Sequence, residues 1–210
     1  MLDVHAPEHG IHGTRDFFLH LFTITIGLLI ALGLEAGVEA VHHRHQRQEA
    51  ETLIRNEIQN NLDRLRSEAP QATLELHQMT EVLQTLEARA DGQTVALDAK
   101  DFVFHEAPIQ DAAWRTANST GALTLMDYAE VERFSDAYKE QALLQTMEEQ
   151  ALEDYLELLP VLSYHSKDGV VSPEAARESI PYTRRVVAHL NGMLDVGAGT
   201  VGTYEAALKQ

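Results

Sequence analysis

Two glutamates and three histidines stand close together near the start of the chain: Glu35 and Glu39, then His42, His43 and His45. Carboxylates and imidazoles three or four residues apart share a helix face, where they can pair, pass protons or ligate a divalent metal. Glu39-Ala40-Val41-His42 has the Glu-x-x-His spacing of carboxylate-bridged metal bundles. Such a site draws a second Glu-x-x-His and further carboxylates from other helices, and no second copy is present in the sequence. Two readings follow. In the sharper one, Glu35, Glu39 and His42 form a protonatable or metal-binding ladder serving a membrane-anchored metal-binding protein, sensor or enzyme. In the simpler one they form an interfacial collar, with Glu35 reaching back to water and the histidines lying among lipid headgroups. The collar is preferred because it needs no parts from elsewhere, and no cofactor is expected.

The element that must carry these residues begins at "FFLHLFTITIGLLIALGL", residues 17 to 34, which only His20 interrupts. Extended through "EAGVEAV", the run is long enough for a spanning helix at 1.5 Å per residue. A hydrocarbon layer of about 30 Å that starts near Phe17 ends near Ala36, which puts Glu35 just inside the boundary and Glu39 among headgroups. Residues 1–16 then form an N-terminal tail, 17–41 a transmembrane helix and 42–210 an extramembrane domain. A cleaved signal peptide competes with this reading, since Val38-Glu39-Ala40 could pass for a cleavage site, but the leader carries only Arg15 as a fixed positive charge. Across one span, leader histidines His5, His9 and His12 lie on the opposite side of the bilayer from His42.

Within the helix, Thr23, Gly27 and Ala31 recur every four residues and lead into Glu35, while Gly33 and Gly37 make a GxxxG spacing on another face with Ile26 and Ile30. Small residues at this spacing let a second helix approach closely. The expected partners are therefore the bilayer and other membrane subunits or a second copy. Arg15 precedes the span, whereas Arg44, Arg47 and Arg55 follow it, so the positive-inside rule puts the domain in the cytoplasm of a bacterial cell, anchored in the inner membrane.

The 210 residues carry a net charge of −17 and no cysteine. That charge excludes the clustered Lys and Arg that nucleic-acid backbones require. The missing thiols exclude disulfides, thiolate catalysis and Cys-ligated metals. No paired nucleophile and base stands out, and "GAGTVG" near the C-terminus has neither a preceding strand nor a following Gly-Lys-Ser/Thr.

Beyond the span the apolar spacing is helical nearly throughout, which predicts an all-α fold in which one N-terminal transmembrane helix continues into an antiparallel bundle. Ile54, Ile58, Leu62 and Leu65 mark one helix, ended by Pro70. Leu76, Met79, Leu83 and Leu86 mark a second, ended at Asp91-Gly92, and the two are expected to pair antiparallel. The pattern fails over residues 93–108, where "TVAL" and "FVF" form a short hairpin or simply cover the bundle. Pro108 suits the start of a short helix anchored by Trp114 and closed by Gly121, and Asp127 with Glu130 resembles a capping box before a helix that carries Tyr138. Ser172-Pro173-Glu174 opens the last helix, which Pro181 kinks or restarts.

The Gly-Leu-Leu-Ile-Ala-Leu helix ending in Glu, the acidic helical stretch with "EIQNNLDRL", and "AWRTANSTGALTLM" before a tyrosine-bearing helix resemble uncharacterised bacterial single-pass membrane proteins of the domain-of-unknown-function type. The resemblance covers most of residues 15 to 145, and the chain departs from it in its histidine-rich leader and in His42 to His45. It implies topology and fold, and it carries no activity. The expectation is a non-catalytic accessory, structural or adaptor subunit whose anchor packs on other membrane helices while its acidic domain docks or braces a partner.

Overall fold

The computed structural model describes residues 13–96, 104–105, 107–165 and 171–209. Among these the chain is all-α, with α1 (Thr14–Ala90), α2 (Ala112–Ser119), a 3-10 turn (Ala122–Leu125), α3 (Tyr128–His165) and α4 (Pro173–Leu208), and no strand. It divides into two compact units, Met1–Gln48 and Glu49–Gln210.

The first unit contains a stretch of α1 long and apolar enough to cross a membrane, none of it buried. All fourteen large apolar residues from Phe17 to Val41 are between 40% and 72% exposed. The hydroxyls of Thr23 and Thr25 donate to the carbonyls of Leu19 and Leu21 at 2.9 and 2.8 Å. Both are thus satisfied within the helix, which an apolar surrounding demands of any polar group. Helix continuity through residues 38 to 41 leaves the Val38-Glu39-Ala40 site in regular helix.

In the second unit, α1 does not stop at Pro70. Proline removes a helical donor and costs roughly 3 kcal/mol in a helix interior, so packing must outweigh it. It does so because Ile54, Ile58, Leu62 and Leu65 before the proline, and Met79, Val82 and Leu86 after it, are all buried. The expected antiparallel pair within residues 47–90 is therefore one straight-through helix. Pro160 and Pro181 likewise sit inside α3 and α4.

The antiparallel partner of α1 is α4. Arg177 Nη2 donates to Ala90 O at 2.8 Å, Arg184 pairs with Glu87 at 2.6 Å, Arg66 pairs with Glu205, and Arg55 reaches the carbonyls of Ala207 and Leu208. Helix α4 also runs antiparallel to α3, with Arg185 on Asp154 at one end and Tyr204 on Gln141 at the other. By elimination α1 and α3 are parallel, so the chain must return along the bundle between them. From Ala90 back to the level of Glu57, which holds the start of α2, is about 50 Å of helix rise. The described residues 104–105 and 107–111 run back along α1 from the level of Glu75 to that of Asn61 and are called the strap below.

Its described part lies on the bundle and forms no hairpin; the remainder of the predicted hairpin region lies outside the described residues. Phe104 stacks on Tyr155 with ring centroids 6.2 Å apart, His105 Nδ1 lies 2.6 Å from the buried Glu75 carboxylate, and Ile109 is buried. Pro108 starts no helix, because the backbone there is engaged by α1: Arg64 donates to the Pro108 carbonyl. Local signals elsewhere hold. Gly92 and Gly121 both adopt positive φ, +82° and +75°, where the chain leaves α1 and α2, and Ser172 caps α4 by accepting from Ala175 N at 3.2 Å. Asp127 caps α3 through Ala129 N at 3.0 Å, but the Glu130 side chain turns to Arg55 at 2.5 Å instead of closing a capping box.

Candidate functional site

The first unit presents the small-residue faces without any covering. A Cβ added at Gly27, Gly33 or Gly37 meets nothing within 4 Å, and Thr23 and Ala31 are exposed. A helix approaching either face would meet backbone rather than bulky side chains. Of the polar residues, Glu39 and His43 approach each other, with Nε2 to Oε1 at 3.8 Å, and the His42 and His43 rings lie 6.4 Å apart. The Glu39–His43 spacing is i, i+4, so it is His43 and not His42 that faces Glu39. Glu35, His42 and His45 are exposed, and among the described residues no three His, Asp or Glu side chains converge on a point that could hold a metal ion. His5, His9 and His12 lie outside the described residues.

The second unit holds a polar junction that the sequence reading missed. Glu57 on α1 accepts from Ala113 N at 2.9 Å, from Trp114 N at 3.4 Å and from the Tyr138 hydroxyl at 2.6 Å. It thereby caps α2 from another helix, since Asp111 at the N-cap position makes no side-chain cap. The carboxylate suits the positive end of that helix. Trp114 is a half-buried anchor rather than a core residue, stacked on Tyr138 with centroids 5.1 Å apart at 15°.

One turn along α1, the Asn61 amide takes both backbone groups of Gln110, accepting from its N–H at 2.9 Å and donating to its C=O at 2.6 Å. Gln141 Nε2 donates to the same carbonyl at 3.0 Å, and the Tyr204 hydroxyl donates to Gln141 Oε1 at 2.5 Å. Asn61, Gln141 and Tyr204 are all at most 1% exposed. The arrangement therefore joins α1, the strap, α3 and α4 through fully satisfied buried groups. Arg55 completes the junction, stacked over Phe134 at 5.4 Å and paired with Glu51 and Glu130.

A sequence signal for Asn61 did exist. It falls three residues after Ile58 and four before Leu65, so it occupies the apolar register that buries both.

Burial, then the hydrogen bond to Glu57, push the Tyr138 phenol well above its ordinary range, and burial does the same for Tyr204. A pKa raised on folding means stability that is full below the unfolded value, about 10, and lost as pH climbs beyond it. Tyrosinate absorbance from these two side chains should accordingly appear only together with the loss of helical circular dichroism. All six tyrosines ionising while the helix signal is intact would contradict their burial.

No family model, no curated protein and no solved structure matches this chain.

Proposed function

We propose that the chain is a single-pass membrane subunit without catalytic activity, belonging with the uncharacterised bacterial single-pass proteins it resembles. Its apolar N-terminal helix packs against another membrane helix, and its acidic helical domain docks or braces a partner. The observation that carries this reading is the first unit's helix, apolar on every side, unburied throughout, and open at Gly27, Gly33 and Gly37. An apolar surface of this extent finds its solvent in lipid, and its glycines make backbone approach by a second helix the favourable contact there. The arginine bias, Arg44, Arg47 and Arg55 after the span against Arg15 before it, puts the domain on the cytoplasmic side of a bacterial inner membrane. Glu35, Glu39 and the histidines act as the collar where the helix leaves the hydrocarbon.

Co-purification of membrane partners in mild detergent tests this. Gly27→Leu should abolish association, because it drives a bulky side chain into the Thr23, Gly27 and Ala31 face. Glu35→Gln and His42→Ala should leave association nearly intact, since water and headgroups solvate that zone. Loss with Glu35→Gln but not with Gly27→Leu would mean that a buried carboxylate, rather than backbone proximity, holds the interface.

A further inference from the structure

Three polar side chains lie where the helices of a bundle ordinarily bury apolar ones. Asn61 on α1, with Gln141 and Glu148 on α3, are 1%, 1% and 7% exposed. Buried polar groups weaken a helix interface unless something satisfies them, and here the main chain of the strap does so. Ala107 N donates to Glu148 at 3.3 Å, the Asn61 amide takes both the N–H and the C=O of Gln110, and Gln141 donates to the same carbonyl. Arg64 donates to the Pro108 carbonyl. The segment turns tightly at this proline, with Ile109 N on Ala107 O at 2.7 Å. Within residues 107–110 only Ile109 is buried, whereas Pro108 and Gln110 are exposed. Helices α1 and α3 thus recognise a backbone shape and one apolar side chain.

We infer that this groove between α1 and α3 is a receptor site for a short non-helical segment of another protein, which takes the place of the strap. The strap shows the chemistry of that segment: a small residue, a proline turn, and one apolar anchor in the position of Ile109. Side chains that bind main-chain groups supply affinity for many sequences, so the anchor sets the preference. This rests on the adaptor reading above and names where the domain takes its partner. The strap competes from the same chain, at an effective concentration on the order of millimolar. It therefore acts as an internal inhibitor, which a partner overcomes with a better anchor. A second copy is a poorer occupant, because its strap runs directly into α2, whose first turn Glu57 holds.

The test uses the full chain in lipid nanodiscs and, as probe, a fluorescent peptide copying residues 104–112, FHEAPIQDA, followed by anisotropy. The unaltered chain should bind it weakly. Ile109→Ala in the chain, with helical dichroism retained, removes the competitor's anchor and should tighten binding about tenfold or more. Phe104→Ala loosens the strap at its half-buried end and should tighten binding severalfold, which keeps the test open if Ile109→Ala fails to fold. Methylating the amide nitrogen of Gln110 in the peptide alone deletes the donor to Asn61 and should weaken binding about tenfold. No tighter binding to either variant, or equal binding of the methylated or a scrambled peptide, would overturn the inference. Dimerisation of the unaltered chain that the peptide reverses would assign the groove to a second copy and overturn the choice of a different protein. Association of the membrane helix, read in the same nanodiscs through Gly27→Leu, is independent of the probe, so either claim can fail while the other stands.

Discussion

Asn61→Ala should remove about 3 to 5 kcal/mol of the stability of the helical domain, a large share of the 5 to 15 kcal/mol that typical domains possess. The truncation leaves the Gln110 N–H without its acceptor, takes one donor from the Gln110 carbonyl, and opens a cavity where the Asn61 side chain was only 1% exposed. Each orphaned buried group costs roughly 1 to 3 kcal/mol, and the cavity adds to it. The strap should loosen before the helices melt, because Asn61 fixes it whereas α1, α3 and α4 retain their apolar contacts. Urea unfolding of the detergent-solubilised chain gives the loss, and amide exchange at residues 107–111 gives its location. A change below about 1 kcal/mol would mean that the strap is not held by this amide.

Glu57→Ala should be nearly as damaging, at about 2 to 4 kcal/mol, through a different route. It takes the cap from α2 and leaves the Tyr138 hydroxyl buried without its acceptor. A double substitution separates the two contributions. Tyr138→Phe in the Glu57→Ala background removes the orphaned hydroxyl and should recover roughly 1 to 2 kcal/mol, although Tyr138→Phe alone destabilises. Because Trp114 begins in the turn that Glu57 caps and stacks on Tyr138, its near-ultraviolet dichroism should fall with the single substitution. Strict additivity of the two changes would deny the Glu57–Tyr138 contact.

The helix through residues 28 to 45 and the helical register of the domain could be read directly, because apolar periodicity and local turn chemistry are properties of adjacent residues. Gly121, Ser172 and Asp91-Gly92 act where they stand, and each marks a boundary that the structure has. Proline misled at Pro70 for the opposite reason. Its local cost is real, but it is outweighed by burial that continues on both sides and depends on the distant α4. The same distinction explains the strap. "TVAL" and "FVF" lack helical spacing, and the sequence leaves open whether they pair or run extended. The strap's described residues, 104–105 and 107–111, are held by side chains of α1 and α3 that are distant in sequence. The polar junction was legible only in part. Asn61 in an apolar register is a visible anomaly, whereas Glu57 looks like any surface glutamate until α2 is brought against it.

A membrane-anchored subunit requires the apolar helix to stay attached and embedded. Intact-mass and peptide analysis of the mature chain, after extraction of its membranes with alkaline carbonate, decides this most directly. Residues 17–41 should be found in the same polypeptide as the helical domain, in the carbonate-resistant pellet. A mature chain in the soluble fraction, with its N-terminus at or after Val41, would contradict the account and make residues 17–41 a secretory signal.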